Sequence, residues 1–175
     1  MKKSITRSLY QLMAVSLASV VFTHSAFAQA PASPEPLPLG FFITSVGLGD
    51  GGNLGGLAGA DAHCNALATA VGVGERDWRA FLSTQGESSV NAIDRIGEGP
   101  WGNAKGVPVA VNIQGLLYDN SNLSHAYSLT ENGDPNNSRA MGDDPNKHDV
   151  LTGTQLDGTA YPEGDDMTCM NWTSN

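Results

Sequence analysis

Apolar side chains recur at Ala60, Cys64, Leu67 and Val71, spacings of four, three and four that fall on one face of a helix. Between them Ala62, Ala66, Ala68 and Ala70 favour the helix without adding bulk. The glycine-rich stretch from Gly51 leads in, and Asp61 is expected in the first turn, where an acid complements the free N–H groups. Gly72 is placed to close the helix in a left-handed cap. Trp78, Ala80 and Leu82 then alternate with Arg79 and Phe81, the two-residue period of a strand. The pattern predicts a helix packed beside a strand, with Cys64 facing inward.

Weaker signals fill the rest. Phe41 to Ser45 is a short β-type run ended by the glycines from Gly47 onward. Ser88 to Ile96 fits a turn or two of helix, stopped by Gly97, Gly99 and Pro100. Trp101 follows in what reads as a loop, which makes it the exposed-aromatic candidate, whereas Trp78 and Trp172 lie in strand-like runs and read as core. Val107, Val109, Val111 and Ile113 alternate and Leu116 and Leu117 follow, predicting two short strands. From Tyr118 to Asp149 the chain is mostly Asn, Asp, Ser, Gly and Pro; a loop of that length is functional or disordered. Order resumes at Val150 to Gly153, and Thr168 to Thr173 reads as a last strand.

The first 28 residues change the picture. Lys2, Lys3 and Arg7, an apolar segment from Leu12 to Phe22 and then Ala26-Phe27-Ala28 have the layout of a secretory signal cut before Gln29. Residues 29–39, with Pro31, Pro34, Pro36 and Pro38, read as an extended linker, leaving residues 40–175 as one domain. The apolar segment is too short to span a membrane comfortably and no second one follows, so a secreted chain, periplasmic or extracellular, is expected. Cleavage would leave six basic against eighteen acidic residues, a formal charge of −12. Such a charge excludes the basic footprint a nucleic-acid partner requires. It reads as a solvated acidic surface that defines no site by itself.

Taken in order, Gly52-Asn53-Leu54-Gly55-Gly56, Gly59-Ala60-Asp61-Ala62-His63-Cys64 and Trp78-Arg79-Ala80-Phe81-Leu82-Ser83 form one series of motifs. Asn112 to Leu117, Val150-Leu151-Thr152-Gly153-Thr154 and Cys169-Met170-Asn171-Trp172-Thr173 continue it. The series resembles the C-type-lectin-like fold in its endostatin-like branch, and within it a family of bacterial secreted lectin-like proteins. The resemblance spans about residues 40 to 175, is specific as a combination, and implies an α+β domain with one main helix packed on short antiparallel strands and long polar loops. It also implies that relatives continue past the Cys-x-Asn-Trp segment with more strands and two more cysteines, so that this chain is expected to be cut short at its C-terminus. Cys64 and Cys169 would then match the first two of four nested cysteines and would not pair with each other. Cysteine arithmetic alone points the other way, since two cysteines in an exported chain most simply pair, closing a loop worth on the order of 4 kcal/mol.

The chemistry that can be read concentrates in the polar stretch. Asp134, Asn136, Asp143, Asp144 and Asp149 are oxygen donors of the kind calcium takes, and the candidate ligand-binding set is Trp101, Asp134, Asn136, Asn137, Asp143, Asp144 and Asn146. The spacing fails as an EF-hand, because Asn137 stands where glycine is needed and Asp143 where glutamate is needed; the same residues are also turn formers. Asp134-Pro135-Asn136 and Asp144-Pro145-Asn146 are similar to the sugar-binding triplets of C-type lectins without matching them, and Asn171-Trp172-Thr173 reverses the Trp-Asn-Asp of that family. His63, His125 and His148 have no zinc-ligand spacing, and adjacent His63 and Cys64 diverge on a helix. The glycines before the helix lack a nucleotide-binding pattern, and no hydrolase motif is present. Asp143-Asp144 and Asp165-Asp166 are the carboxylate pairs a glycosidase would need. Three glycosylation acceptors, at Asn122, Asn136 and Asn171, carry no weight behind a bacterial-type leader.

The expectation is therefore a secreted, non-enzymatic binding module recognising carbohydrate or another extracellular ligand through the 118–149 loop, with calcium as its candidate cofactor. The alternative is an adhesin for host or matrix protein, and behind both stands a hydrolase using the loop carboxylates.

Overall fold

The computed structural model describes residues 35–119 and 121–174. The leader over residues 1–28 and the linker up to residue 34 lie outside the described residues. Helix α1, Gly56–Ala70, forms where the alanine-rich pattern predicts it but begins a turn early, on Gly55 in the left-handed conformation and without a side-chain cap. Gly72, with φ +82°, closes it as expected: its N–H donates to Thr69 O at 3.0 Å and Val73 N–H donates to Ala68 O at 2.9 Å, the paired bonds of a Schellman cap. The early start moves Asp61 from the first turn into the second, where it is 7 % exposed. It faces the core instead of capping the helix.

The strand expected at 78–82 is a correction. Its alternation is real, with Trp78 and Leu82 buried, yet among the described residues no strand pairs with it. The ladder is supplied by side chains. Asn65 on α1 donates to Trp78 O at 3.0 Å and accepts from Trp78 N–H at 3.4 Å. Asp61 accepts from Ala80 N–H at 2.9 Å, and Arg95 donates to Ala80 O. Backbone polar groups in a buried segment need partners, and here an amide, a carboxylate and a guanidinium replace an adjacent strand.

Strand β1, Trp101–Gly102, pairs antiparallel with β2, Pro108–Ala110, across the 103–107 turn. The second strand expected near Ile113 is instead helix α2, Ile113–Leu117, because the Asn112 side chain accepts from Gly115 N–H at 2.8 Å and caps a helix start. Ser88 to Ile96 holds one 3-10 turn, Ile93–Arg95. Phe41 to Ser45 makes a single bridge, Ile43 to Thr130. The last residues of the proline-rich stretch are not a free linker: Leu37 N–H donates to Gly106 O and Leu39 bridges Gly102. No helix of the described residues is long and apolar enough to cross a membrane.

The final expected strand is a single left-handed helical turn, Cys169–Trp172, with φ of 49°, 52°, 55° and 67°. Left-handed backbone costs about 1–2 kcal/mol for each non-glycine residue. Burying an indole of about 200 Å² contributes on the order of 5 kcal/mol, which offsets much of that. Trp172, 1 % exposed, packs with Ala60 and Leu82 at the centre of the core, and its indole N–H donates to Ser83 O at 2.7 Å.

Candidate functional site

The 118–149 segment, described except at residue 120, is held by bonds that its sequence pattern does not announce. Asn122 ties it to β2, donating to Pro108 O at 2.7 Å, and Asn103 in the β1–β2 turn donates to Tyr127 O at 3.0 Å. Leu129 and Thr130 are buried. Glu131, also buried, accepts from Ser45 N–H at 3.1 Å and from the Ser45 hydroxyl. Beyond a tight hairpin, in which Thr130 N–H donates to Asp134 O at 2.8 Å, residues 136–148 close on themselves.

That closure uses most of the predicted site. Asn136 donates to Lys147 O and Asn137 to Pro145 O. Asp143 accepts from Ser138 N–H at 2.9 Å, and Asn146 accepts from Arg139 N–H at 3.0 Å and faces His148 Nδ1. Asp134 and Asp144 are exposed on the same segment, and Asp149 lies 3.8 Å from His148 Nε2. The predicted calcium set of Asp134, Asn136, Asp143, Asp144 and Asp149 is not drawn together around one point. Among the described residues no three His, Cys, Asp or Glu side chains converge on a metal position. Short polar side chains at turns bond nearby backbone first, and here Asn136 and Asn137 commit their amide N–H groups and Asp143 and Asn146 an oxygen to the loop itself.

Trp101 is a second correction. It is 8 % exposed, held in β1, so it offers no platform for a sugar. Trp78 and Trp172 are buried as expected. Among the described residues the exposed aromatics are tyrosines: Tyr118, 57 % exposed at the end of α2, and Tyr127, 41 % exposed in the turn fixed by Asn103. Both lie within the predicted segment, and neither was singled out by sequence, since an isolated tyrosine in a polar run carries no periodic signal.

Asp61 is the principal residue that sequence reasoning assigned to another task. Its two oxygens accept from Arg95 at 2.8 and 2.7 Å, from Arg79 at 3.0 Å and from Ala80 N–H. Arg95 is as enclosed as its partner, while Arg79 reaches out toward Asp77 at 2.8 Å. Nearby, burial and the Asp61 charge push the Cys64 thiol up to about 11, against the opposing pull of Arg95. Cys64 and Cys169 are not bonded to each other. His63 turns away from Cys64 to bond Val46 O at 2.7 Å.

An open cleft of about 500 Å³ lies elsewhere, between Gln85 and the left-handed turn. Gln85 cross-links its walls, donating to Pro162 O and Asp165 O and accepting from Met167 N–H at 2.6 Å. Asn171 grips the Gln85 backbone on both sides, accepting from its N–H at 2.7 Å and donating to its carbonyl at 3.1 Å. Asp166 accepts from Met170 N–H at 2.6 Å, Thr168 N–H at 2.8 Å and the Thr168 hydroxyl at 2.9 Å. These donors, the Met170 amide foremost, hold its carboxyl below the usual carboxylate range.

No protein family, characterised protein or solved structure matched the chain.

Proposed function

We propose that this chain is an exported, non-enzymatic binding module of α+β, lectin-like fold that recognises carbohydrate through the 118–149 segment. One observation carries the reading: Tyr118 and Tyr127 stand exposed on a polar segment whose backbone is tied down at Asn122, Asn103 and the Ser45–Glu131 contact. An exposed phenol ring offers an apolar face and a polar tip, the combination that suits a sugar ring, and a fixed backbone lowers the entropy lost on binding. Within the two Asp–Asp pairs, Asp143 and Asp166 accept backbone N–H groups and so serve the local fold.

The test is retention of the folded chain on a panel of immobilised oligosaccharides, with free sugar as competitor. Tyr127→Ala should weaken retention about tenfold, and Leu156→Ala, at a fully solvated site, should leave it unchanged. Retention should persist in chelator, since the calcium set does not converge. If no oligosaccharide is retained, or if Tyr118→Ala and Tyr127→Ala both behave as the parent, the carbohydrate reading fails. The adhesin reading, favoured by the excess of acidic residues, would then stand in its place.

A further inference from the structure

We propose that the cleft between Gln85 and the Cys169–Trp172 turn receives a lysine or arginine side chain from a basic segment of another extracellular protein. The inference rests on reading the chain as an exported binding module, and is separate from the ligand of the 118–149 segment.

The lining has two chemistries. Glu163 and Asp166 supply carboxylates and no lysine or arginine lines the cleft, so its field is unopposed at close range. Met170 supplies the other: its side chain is 68 % exposed although the left-handed backbone beneath it is fixed by Asp166 and Thr168. A flexible thioether beside a carboxylate suits a long cationic side chain, whose methylenes pack on sulfur while the charged head meets the acid.

The site is built before the partner arrives. The Gln85 and Asn171 amides are consumed in holding the walls, so little ordering remains to be done on binding. Both Asp166 oxygens already accept hydrogen bonds, so Glu163 is the acid that the incoming charged head would meet. The rest of the molecule reinforces the sign of the field. Arg79 and Arg95 are paired with Asp61 and Arg76 lies 5.6 Å from the Trp78 ring centre, so half of the basic residues after the leader are engaged internally.

A second depression of about 410 Å³, lined by Ile93, Asp94, Gly97, Glu98 and Ile113, also carries two acids, and serves as the internal control. The experiment is fluorescence anisotropy of the folded chain with a labelled peptide of alternating lysine and leucine, alongside its glutamate–leucine counterpart, at about 150 mM salt. The lysine peptide should bind and the glutamate peptide should not. Glu163→Gln with Met170→Ser, both at exposed positions, should weaken binding about tenfold, while Asp94→Asn with Glu98→Gln should change it less than about twofold. Melting curves of both double variants establish that they fold. Equal losses in the two variants would reduce the effect to net charge and overturn the proposal, as would undiminished binding by the first variant or no binding of the lysine peptide. Oligosaccharide retention measured on the same variants separates the two readings, since loss of peptide binding with retention intact touches only this one.

Discussion

Asp61 shows how much one side chain can organise when it is buried and fully paired. Its carboxylate joins α1 to the 78–80 segment and to the 3-10 turn, and every member of the group has partners. A buried ion pair adds little over a well-packed apolar substitute, but breaking one from a single side is costly, about 3–5 kcal/mol. Asp61→Ala should therefore lower the unfolding free energy measured in urea by that order, because Arg95 would be left enclosed without its anion. Asp77→Ala, which removes only the solvent-side partner of Arg79, should change the same free energy by less than about 1 kcal/mol. Cys64 offers a second check. With its thiol pushed up to about 11, it stays protonated at neutral pH, so the native chain should alkylate slowly at Cys64 and rapidly once unfolded, as mass spectrometry of labelled peptides would record.

At the scale of elements, the left-handed turn is the feature on which both the core and the cleft depend. It is held from outside by Asp166, whose folded-state carboxyl lies below its unfolded value. A depressed carboxyl stabilises the fold above the unfolded value, near 3.8, and that contribution is lost as the pH falls through the lower folded value. Thermal melts between about pH 5 and pH 2 should show a loss of stability that is smaller in Asp166→Asn, with Asp157, lowered in the same way by Thr159, accounting for part of what remains. The backbone makes a further demand. Met170, at φ 52° and exposed, should tolerate glycine with no loss or a gain of up to about 1 kcal/mol, while valine should destabilise. Gly153 faces the turn at φ +55°, and a Cβ there would meet the Trp172 ring at 2.6 Å. Gly153→Ala should cost about 2–4 kcal/mol in chemical denaturation.

For the whole molecule the governing quantity is charge. Eighteen acids face nine bases, three of which lie in the predicted leader. Crowding like charges on a folded surface destabilises it, and added salt screens them within about 10 Å at 0.1 M. The melting temperature of the leaderless chain at pH 7 should rise between about 10 and 150 mM sodium chloride. A fall would mean that the local pairs, Asp61 with Arg95 foremost, outweigh the net repulsion.

Several features were legible from the chain itself. The α1 helix and its Gly72 cap follow from periodicity and from glycine's freedom at positive φ, both properties of neighbouring residues. The burial of Trp78 and Leu82 follows from the same kind of local pattern, as does the turn-forming character of 118–149. Tertiary structure decided everything that depends on partners distant along the chain. It made Asp61 a buried anion by bringing Arg95 thirty-four residues to meet it, and gave the 78–80 segment side chains in place of a neighbouring strand. It buried Trp101 in a strand pair, and wound Cys169–Trp172 left-handed to seat an indole against Ser83. Local preference sets which conformations are inexpensive, and burial against remote groups sets which of them, including costly ones, the folded chain adopts.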